Sequence, residues 1–353
     1  MTEGTDTATA AEPASSHDAG LRRGLEAVGL AVTGLVAAVM IGFVVLYWLR
    51  EYRLAAGAYE QFMIASQWLD YYLGTNVFKW SFMWQSMATG VLIGVVGPLI
   101  GSFLVHRKMA LIGETLAHTA FAGVAIGFAA ASLVGWAGSP MYAALVVAIL
   151  GALGVQWLSE RTNAYGDVPV AIMLTGSFAV GTLVVSWGRG RRGISIEDYL
   201  FGDLSIVTAS SARLMAVLSV AVVAVVAYTY KQLLFITFDE QAARVARLNV
   251  TAYNTLLVVM TAVVVVGSIQ VLGVILVAGM LVIPVAAASQ IARGFRETVV
   301  LSVLFGELSI AGGFGLAISQ GLPSGGSIIV VAIAVYLLVI ALSSRSVAAI
   351  STH

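Results

Sequence analysis

Two ionisable residues lie four positions apart inside an otherwise apolar stretch of the chain. Glu114 and His118 belong to IGETLAHTAFAGVAIG, residues 112–127. Residues at this spacing share one face of an α-helix, with about 6 Å between them. Carboxylate and imidazole groups are ligands that zinc, manganese and iron all accept. The spacing therefore predicts contact with a divalent transition metal.

The pair also has two ordinary explanations, which the residues alone leave open. Glu114 could help to cap the start of its helix near the membrane surface, and His118 could hydrogen-bond a neighbouring carbonyl group. One helix supplies only two ligands, so a metal site needs others from further helices, a second copy of the chain or water. Glu307, in LFGELSIAGGFG, is a weaker candidate ligand, because it could equally hydrogen-bond a Ser, Thr or Gln side chain.

The composition places this helix in a membrane. Of the 353 residues, 59% are hydrophobic and 10% are charged, whereas soluble domains carry about 25% charged residues. The formal net charge is zero, which gives no reason to expect a nucleic-acid partner. The absence of cysteine from the sequence excludes disulfides and thiolate ligands.

Apolar windows predict an all-α polytopic membrane protein with about nine to ten transmembrane helices, since about 20 apolar residues cross a bilayer. The polar run GSIQ, residues 267–270, predicts a broken or re-entrant pair of helices. Gly123 and Gly127 form a G-x-x-x-G pattern, which lets a second helix pack closely. The ten windows lie near residues 28–49, 82–105, 110–135, 140–158, 168–187, 212–230, 252–269, 270–290, 298–319 and 325–343.

The chain divides into four regions. Residues 1–20 form a polar tail that we expect to be disordered. Residues 21–80 hold an extra N-terminal span and an aromatic segment suited to the membrane interface. Residues 81–345 carry the main transmembrane domain, and residues 346–353 form a short C-terminal tail.

Basic residues predict the orientation of the spans. Eleven of the eighteen Lys and Arg residues lie in cytoplasmic segments if the N-terminus is cytoplasmic, in agreement with the positive-inside rule. The run RGRRG, residues 189–193, conflicts with this assignment because it falls on the outer side. We expect a multi-pass protein of a prokaryotic plasma (inner) membrane with its N-terminus in the cytoplasm.

The sequence contains no nucleotide-binding P-loop. Such a loop ends in G-K-[ST], and none of Lys79, Lys108 and Lys231 follows a glycine. The motifs H-E-x-x-H and G-x-S-x-G are also absent from the sequence. We therefore expect a transporter subunit rather than an enzyme, with any ATP hydrolysed by a separate chain. An intramembrane metalloenzyme is disfavoured because no catalytic base is evident near the metal-ligand pair.

A short amphipathic helix is predicted between two spans, within LLFITFDEQAARVARLNVTAYN, residues 233–254. Asp239 suits the N-cap position, and Glu240 can pair with Arg244 one turn later. The segment is either an ordinary surface helix or a docking element for a cytosolic partner. Three residues form its apolar face: Phe238, Ala242 and Val245.

Five segments in this order resemble the permease subunit of ATP-binding-cassette (ABC) importers for zinc, manganese and iron. Within residues 80–345 they read GPLIGSFLVHRKMALIGETLAHTAFAGVAIG, YLFGDL, LLFITFDEQAARVARLNV, VLGVILVAGMLVIPVAAA and GLPSGGSIIV. The resemblance implies a type II-like helical bundle with a metal path at Glu114 and His118. It also implies that the FDEQAA helix, with Phe238, Asp239 and Ala242, couples to the ATPase. The acid of the pair is often aspartate in such families, and glutamate reaches one carbon further.

The resemblance also implies partners. They are a second copy of the permease, a cytosolic ATPase dimer, an extracytoplasmic metal-binding protein and membrane lipid; no cofactor is expected beyond the transported cation. Because imidazole must be neutral to bind metal, uptake should fall below about pH 6.5. Two alternatives remain: an ABC permease for a siderophore or cobalamin, and an ion-coupled carrier that uses Glu114 or Glu307 as a proton relay.

Overall fold

A computed structural model describes residues 16–136, 138–161, 167–188 and 196–350. The RGRRG run and most of the predicted N-terminal tail lie outside the described residues. The described residues form thirteen α-helices, one short 3-10 helix and no strand. The helices are α1 (Ser16–Trp48), α2 (Arg53–Leu73), α3 (Ser81–His106), α4 (Leu111–Val134), α5 (Pro140–Arg161), α6 (Val168–Gly188), α7 (Ile196–Phe201), α8 (Ala209–Phe238), α9 (Glu240–Val245), α10 (Val250–Leu272), α11 (Val277–Ser289), α12 (Phe295–Gln320) and α13 (Ser324–Ile350).

Nine helices of the described ranges are long and apolar enough to cross a membrane. This number confirms the all-α polytopic fold expected from the apolar windows. The window near 270–290 contains α11, which has 13 residues and is too short to span a bilayer. The nine helices are α1, α3, α4, α5, α6, α8, α10, α12 and α13.

The break near the α10–α11 junction lies later than the sequence pattern indicates. The GSIQ run is helical, and α10 ends at Leu272. Gly273 then takes φ 78 and ψ 157, and a side chain there would collide with the backbone of Leu200. The Val274 N–H donates to the Tyr199 carbonyl at 2.9 Å. Contacts of this kind satisfy non-helical backbone inside a membrane protein.

The centre of the bundle is formed by α3 and α10. Of their most apolar windows, 78% and 72% of the residues are buried, compared with 17% for α1 and for α6. Glycines on α3 permit the close packing, since a side chain at Gly101 would collide with the backbone of Leu281 on α11. The helices α1 and α6 therefore lie at the periphery.

An aromatic cluster attaches α1 and α2 to the core. The ring of Phe43 on α1 lies 5.0 Å from that of Phe62 on α2 and 6.1 Å from that of Trp84 on α3. Phe43 is 1% exposed. Aromatic pairs at these distances stabilise the contact beyond simple burial.

A buried carboxylate organises the turn between α2 and α3. Asp70 accepts hydrogen bonds from the Thr75 hydroxyl at 2.7 Å and from the backbone N–H groups of Val77, Phe78 and Lys79 at 2.9, 3.0 and 2.7 Å. Burial alone raises the pKa of Asp70, but these hydrogen bonds outweigh it and hold the pKa below its usual value. The sequence pattern gave no sign of this turn.

Candidate functional site

Glu114 lies in the first turn of α4 with an exposed side chain. The residue at the N-cap position, Ala110, has no side-chain hydrogen bond to offer. An acid in the first turn is favoured by the positive end of the helix dipole. The Glu114 carboxylate makes no hydrogen bond or ion pair with the described residues. It is therefore open to an external ligand.

His118 lies one turn further along α4 and is half-buried. Its Nδ1 atom is buried and has no hydrogen-bond partner among the described residues. Its ring contacts that of Phe178 on α6, with the centroids 4.9 Å apart in an edge-to-face arrangement. Buried polar atoms are normally paired, so this imidazole has unused capacity to bind a ligand.

Polar contacts from α6 hold α4 in place beside this pair. Thr119 shares a hydrogen bond of 2.9 Å with Ser177, and Thr115 donates to the Val170 carbonyl at 3.2 Å. Both threonines are buried. They fix the rotation of α4 and were not identified from the sequence, because hydroxyl residues are common in transmembrane helices.

The G-x-x-x-G pattern packs against α5. Side chains at Gly123 and Gly127 would lie 2.6 Å and 2.9 Å from the Cα atoms of Ala144 and Pro140. Five residues turn a helix by about 140° beyond a full turn, so these glycines do not share the face of His118. The glycines position α4 without covering the ionisable pair.

Glu307 lies at a different crossing of helices. A Cβ atom at Gly94 on α3 would be 2.9 Å from the Glu307 Oε1 atom. That oxygen is buried and has no hydrogen-bond partner among the described residues. No group of three His, Cys, Asp or Glu residues that could hold a metal forms in the described part of the chain. The structure thus does not assemble Glu307 with the α4 pair.

The helix predicted between two spans is α9, which joins α8 to α10. Asp239 is its N-cap and accepts from the Ala242 N–H at 2.8 Å. Arg244 pairs with Glu240 at 2.7 Å, as the spacing predicts. Ala243, rather than Ala242, is the fully buried residue. Two large apolar side chains here are exposed, Phe238 at 62% and Val245 at 84%.

Arg107 connects this helix to the turn before α4. Its side chain is 6% exposed and lies 3.7 Å from the Glu240 carboxylate. It also donates to the Asn254 side chain on α10 at 2.6 Å. Burial lowers the pKa of the Arg107 guanidinium, and the Glu240 carboxylate opposes that shift. In the sequence, Arg107 indicated only the orientation of the spans in the membrane, and its contact with Glu240 was not predicted.

The opposite end of the bundle carries a cleft of about 560 Å³. Asp198 and Asp203 line it, together with Phe82 at the start of α3 and Leu322 before α13. Asp203 is fixed by accepting a hydrogen bond from the Ser205 N–H at 2.7 Å. The cleft thus presents carboxylates at the end of the molecule away from α9.

The match to a known family covers most of the chain. The ABC 3 transport family matches residues 79–343. The chain belongs to this family. Membership confirms the resemblance inferred from the five ordered segments, and it leaves α1 and α2 outside the matched region.

Family relatives carry metal-transport names. A probable metal transport system membrane protein of Treponema pallidum is 33% identical over 75% of this chain and 97% of its own length. The manganese transport system membrane protein MntC of Listeria monocytogenes is 27% identical over 74% and 90%. The high-affinity zinc uptake system membrane protein ZnuB of Haemophilus influenzae is 26% identical over 70% and 92%.

A solved structure has a similar fold. PsaBC from Streptococcus pneumoniae, in complex with Fab, aligns with a TM-score of 0.66 and 26% identity, covering 74% of this chain and 91% of that chain. The ABC permease bundle is therefore confirmed for the family portion. The metal role of Glu114 and His118 and the coupling role of α9 remain predictions.

Proposed function

We propose that this family member is the permease subunit of an ABC importer that carries a divalent transition metal into the cytoplasm. The observation that carries the proposal is the α4 pair. An exposed Glu114 carboxylate lies one turn from His118, whose Nδ1 atom has no hydrogen-bond partner in the described part of the chain. The named relatives move manganese or zinc, and carboxylate with imidazole suits those metals and iron. The cation is cargo rather than a resident cofactor.

A second copy of the chain would complete the metal site. Each copy contributes two ligands, and a twofold axis near α4 would bring four together. The exposed face at Glu114 leaves room for such an approach. A site assembled between two subunits can open when they move apart, whereas a closed tetrahedral site would retain its ion.

A separate ATPase would act on the pair through α9. The exposed side chains of Phe238 and Val245 offer an apolar contact surface for it. Movement of α9 would pass through Glu240 to Arg107, which lies four residues before the first residue of α4, Leu111. This route gives alternating access a physical link between ATP hydrolysis and the metal ligands.

The basic end of the bundle would face the cytoplasm. The positive-inside rule then places α9 and the N-terminus on the inner side and the acid-lined cleft on the outer side. Carboxylates at an entrance attract cations, so this cleft suits release of the metal by an extracytoplasmic binding protein. The basic residues at the α9 end include Arg107, Lys108, Arg244, Arg247, Arg293 and Arg296.

Metal uptake by the assembled transporter tests the proposal. The chain and its ATPase are reconstituted in vesicles, and uptake of zinc, manganese and iron is measured with ATP. We expect ATP-dependent uptake that the Glu114→Ala and His118→Ala variants abolish. Glu60→Ala, which removes an exposed acid of α2, should transport like the wild type. Unchanged uptake by both α4 variants would contradict the site.

The same assay separates the alternatives. Uptake of a siderophore or cobalamin without uptake of free metal would instead indicate a permease for a large chelate. Uptake that continues without the ATPase and collapses with a protonophore would indicate an ion-coupled carrier. Either result would replace the proposed function.

A further inference from the structure

A cavity of about 230 Å³ lies between the end of α1 and the start of α8. The α1 helix is outside the family match, and α8 belongs to the matched core. The cavity is therefore a feature that the appended helix creates. Its lining includes Tyr47, Trp48, Arg50, Gln85, Ser210 and Arg213.

Two guanidinium groups line this cavity, those of Arg50 and Arg213. Arg50 lies 4.1 Å from the centre of the Tyr47 ring, and Arg213 lies 5.2 Å from the centre of the Trp48 ring. Neither forms an ion pair with a described residue. An arginine stacked on an aromatic face keeps its N–H edge available for an oxyanion.

Further donors converge on the same space. Gln85 is 4% exposed, and its side-chain amide makes no hydrogen bond with the described residues. A side-chain amide that lines the cavity can donate its N–H groups to an acceptor held there. The first turn of α8 also borders it at Ala209 and Ser210, and the N–H groups at a helix N-terminus favour anions.

The cavity lies at the level of the membrane surface. The apolar span of α1 ends at Trp48, and that of α8 begins at Ala209. Trp48 and Tyr52 are 57% and 69% exposed, and such aromatic residues mark the headgroup region. The phosphate groups of membrane lipids lie at this depth.

We propose that this cavity binds the headgroup of an anionic phospholipid, phosphatidylglycerol. Its phosphodiester oxygens lie between Arg50 and Arg213 and accept from the Gln85 amide. Glu51, exposed at the rim, accepts a hydrogen bond from a glycerol hydroxyl. The acyl chains follow the exposed apolar surface of both helices, so the lipid joins the appended α1 to the core. This surface includes Val45 on α1 and Val217 and Val220 on α8.

Lipid retention by the full chain tests this site independently of transport. The chain is incorporated into nanodiscs with equal amounts of phosphatidylglycerol, phosphatidylethanolamine and phosphatidylcholine, and the lipids that remain bound are counted by native mass spectrometry. We expect the wild type to retain phosphatidylglycerol preferentially. The R50Q/R213Q variant should retain at least about tenfold less, the scale set by lost hydrogen bonds to charged groups.

Two controls define the result. R53Q removes an exposed arginine of α2 outside the cavity lining and should retain lipid like the wild type. R50K/R213K keeps both charges without the planar fork, so it should be intermediate and provides a second variant if the glutamine variant does not fold. Wild-type retention by R50Q/R213Q or by R50K/R213K, or equal retention of all three lipids, would overturn the proposal.

A soluble anion is distinguished by a second measurement. Thermal unfolding is compared in phosphatidylcholine nanodiscs with added inorganic phosphate and in nanodiscs that contain phosphatidylglycerol. We expect protection from the lipid alone. Equal protection by inorganic phosphate would show a soluble-anion site and overturn the lipid assignment.

Discussion

Glu114 and Glu307 are both carboxylates in membrane-spanning helices, yet their surroundings differ. Glu114 is exposed and lies one turn from His118, whose Nδ1 atom makes no hydrogen bond with any described residue. Glu307 points into the contact between α12 and α3, where its Oε1 atom meets Gly94. Both lack hydrogen-bond partners among the described residues, so charge alone does not distinguish them.

The difference lies in what each side chain can reach. An exposed carboxylate beside an imidazole can accept a cation that arrives from outside the chain. A carboxylate enclosed by a glycine contact has its space already filled by packing. We therefore predict metal contact for Glu114 and helix packing for Glu307, and each prediction can be tested separately.

Removal of the charge should reduce metal uptake strongly at Glu114 and hardly at all at Glu307. Glu114→Gln keeps the side-chain size but removes an anionic ligand, and we expect ATP-dependent metal uptake to fall by more than about 100-fold, because outer-shell losses alone cost 10–100-fold. Glu307→Gln keeps the packing volume and should transport within about twofold of the wild type. Equal losses in both variants would place Glu307 in the metal path.

We expect Arg107 to transmit movement of α9 to Glu114 and not to Glu307. Arg107→Gln removes the contact with Glu240, and we expect uptake to fall by about tenfold, the scale of a lost charged hydrogen bond. ATPase activity should remain, because the ATPase would still dock on α9. Parallel measurement of uptake and phosphate release checks this uncoupling.

The control for this prediction lies on the same turn. Lys108→Gln removes a neighbouring charge that makes no ion pair among the described residues. It should leave the ratio of uptake to ATP hydrolysis unchanged. If the Arg107 variant also kept the wild-type ratio of uptake to ATP hydrolysis, Arg107 would not transmit movement from α9 to the metal ligands.

The packing role of Glu307 predicts a stability effect at Gly94. Gly94→Ala places a methyl group about 3 Å from Glu307 Oε1, and such overpacking costs about 1–3 kcal/mol. We expect a lower unfolding temperature in detergent. The double variant Gly94→Ala with Glu307→Ala should recover most of the loss, because the two residues are in contact.

Gly34→Ala serves as the matched control, since no atom of the described residues lies within 4 Å of a Cβ atom there. Its unfolding temperature should not fall. If Glu307→Ala failed to relieve the Gly94→Ala defect, the carboxylate would not be the colliding group.

Structural features that depend on residues close together in the sequence could be predicted. The Asp239 cap and the Glu240–Arg244 pair follow from residues three and four positions apart, and both are present. The hydropathy windows similarly located the nine long apolar helices. Each of these features is decided within one or a few turns of helix.

Features that depend on distant segments could not be predicted. The GSIQ run remains helical, and the Ser268 hydroxyl donates to the Val264 carbonyl at 2.7 Å, so the buried polar side chain is satisfied within its own helix. The actual stop is Gly273, whose conformation fits the backbone near Leu200. The Arg107–Asn254 contact likewise joins residues 147 positions apart.

A third carboxylate sharpens the comparison, because Asp70 is buried but fully hydrogen-bonded. Its pKa is held below the usual value, so its stabilisation is complete above the unfolded pKa of about 4. That stabilisation is lost as pH falls through the lower folded pKa. Acid protonates Asp70 in the wild type and removes this stabilisation. We expect Asp70→Asn to have the same effect at neutral pH and to destabilise only the turn before α3.

Hydrogen exchange at single amides measures this smallest effect. The Lys79 N–H, which donates to Asp70 Oδ2, should exchange about tenfold faster in Asp70→Asn, the scale of a lost bond to a charged acceptor. Glu60→Gln, on the same helix, should leave it unchanged, and metal uptake should be normal in both. If the Lys79 N–H exchanged in the Asp70 variant as slowly as in the wild type, helix packing rather than the carboxylate would hold this turn. In that case, the hydrogen bonds that Asp70 accepts and Glu307 lacks among the described residues would not explain the difference between these two buried carboxylates.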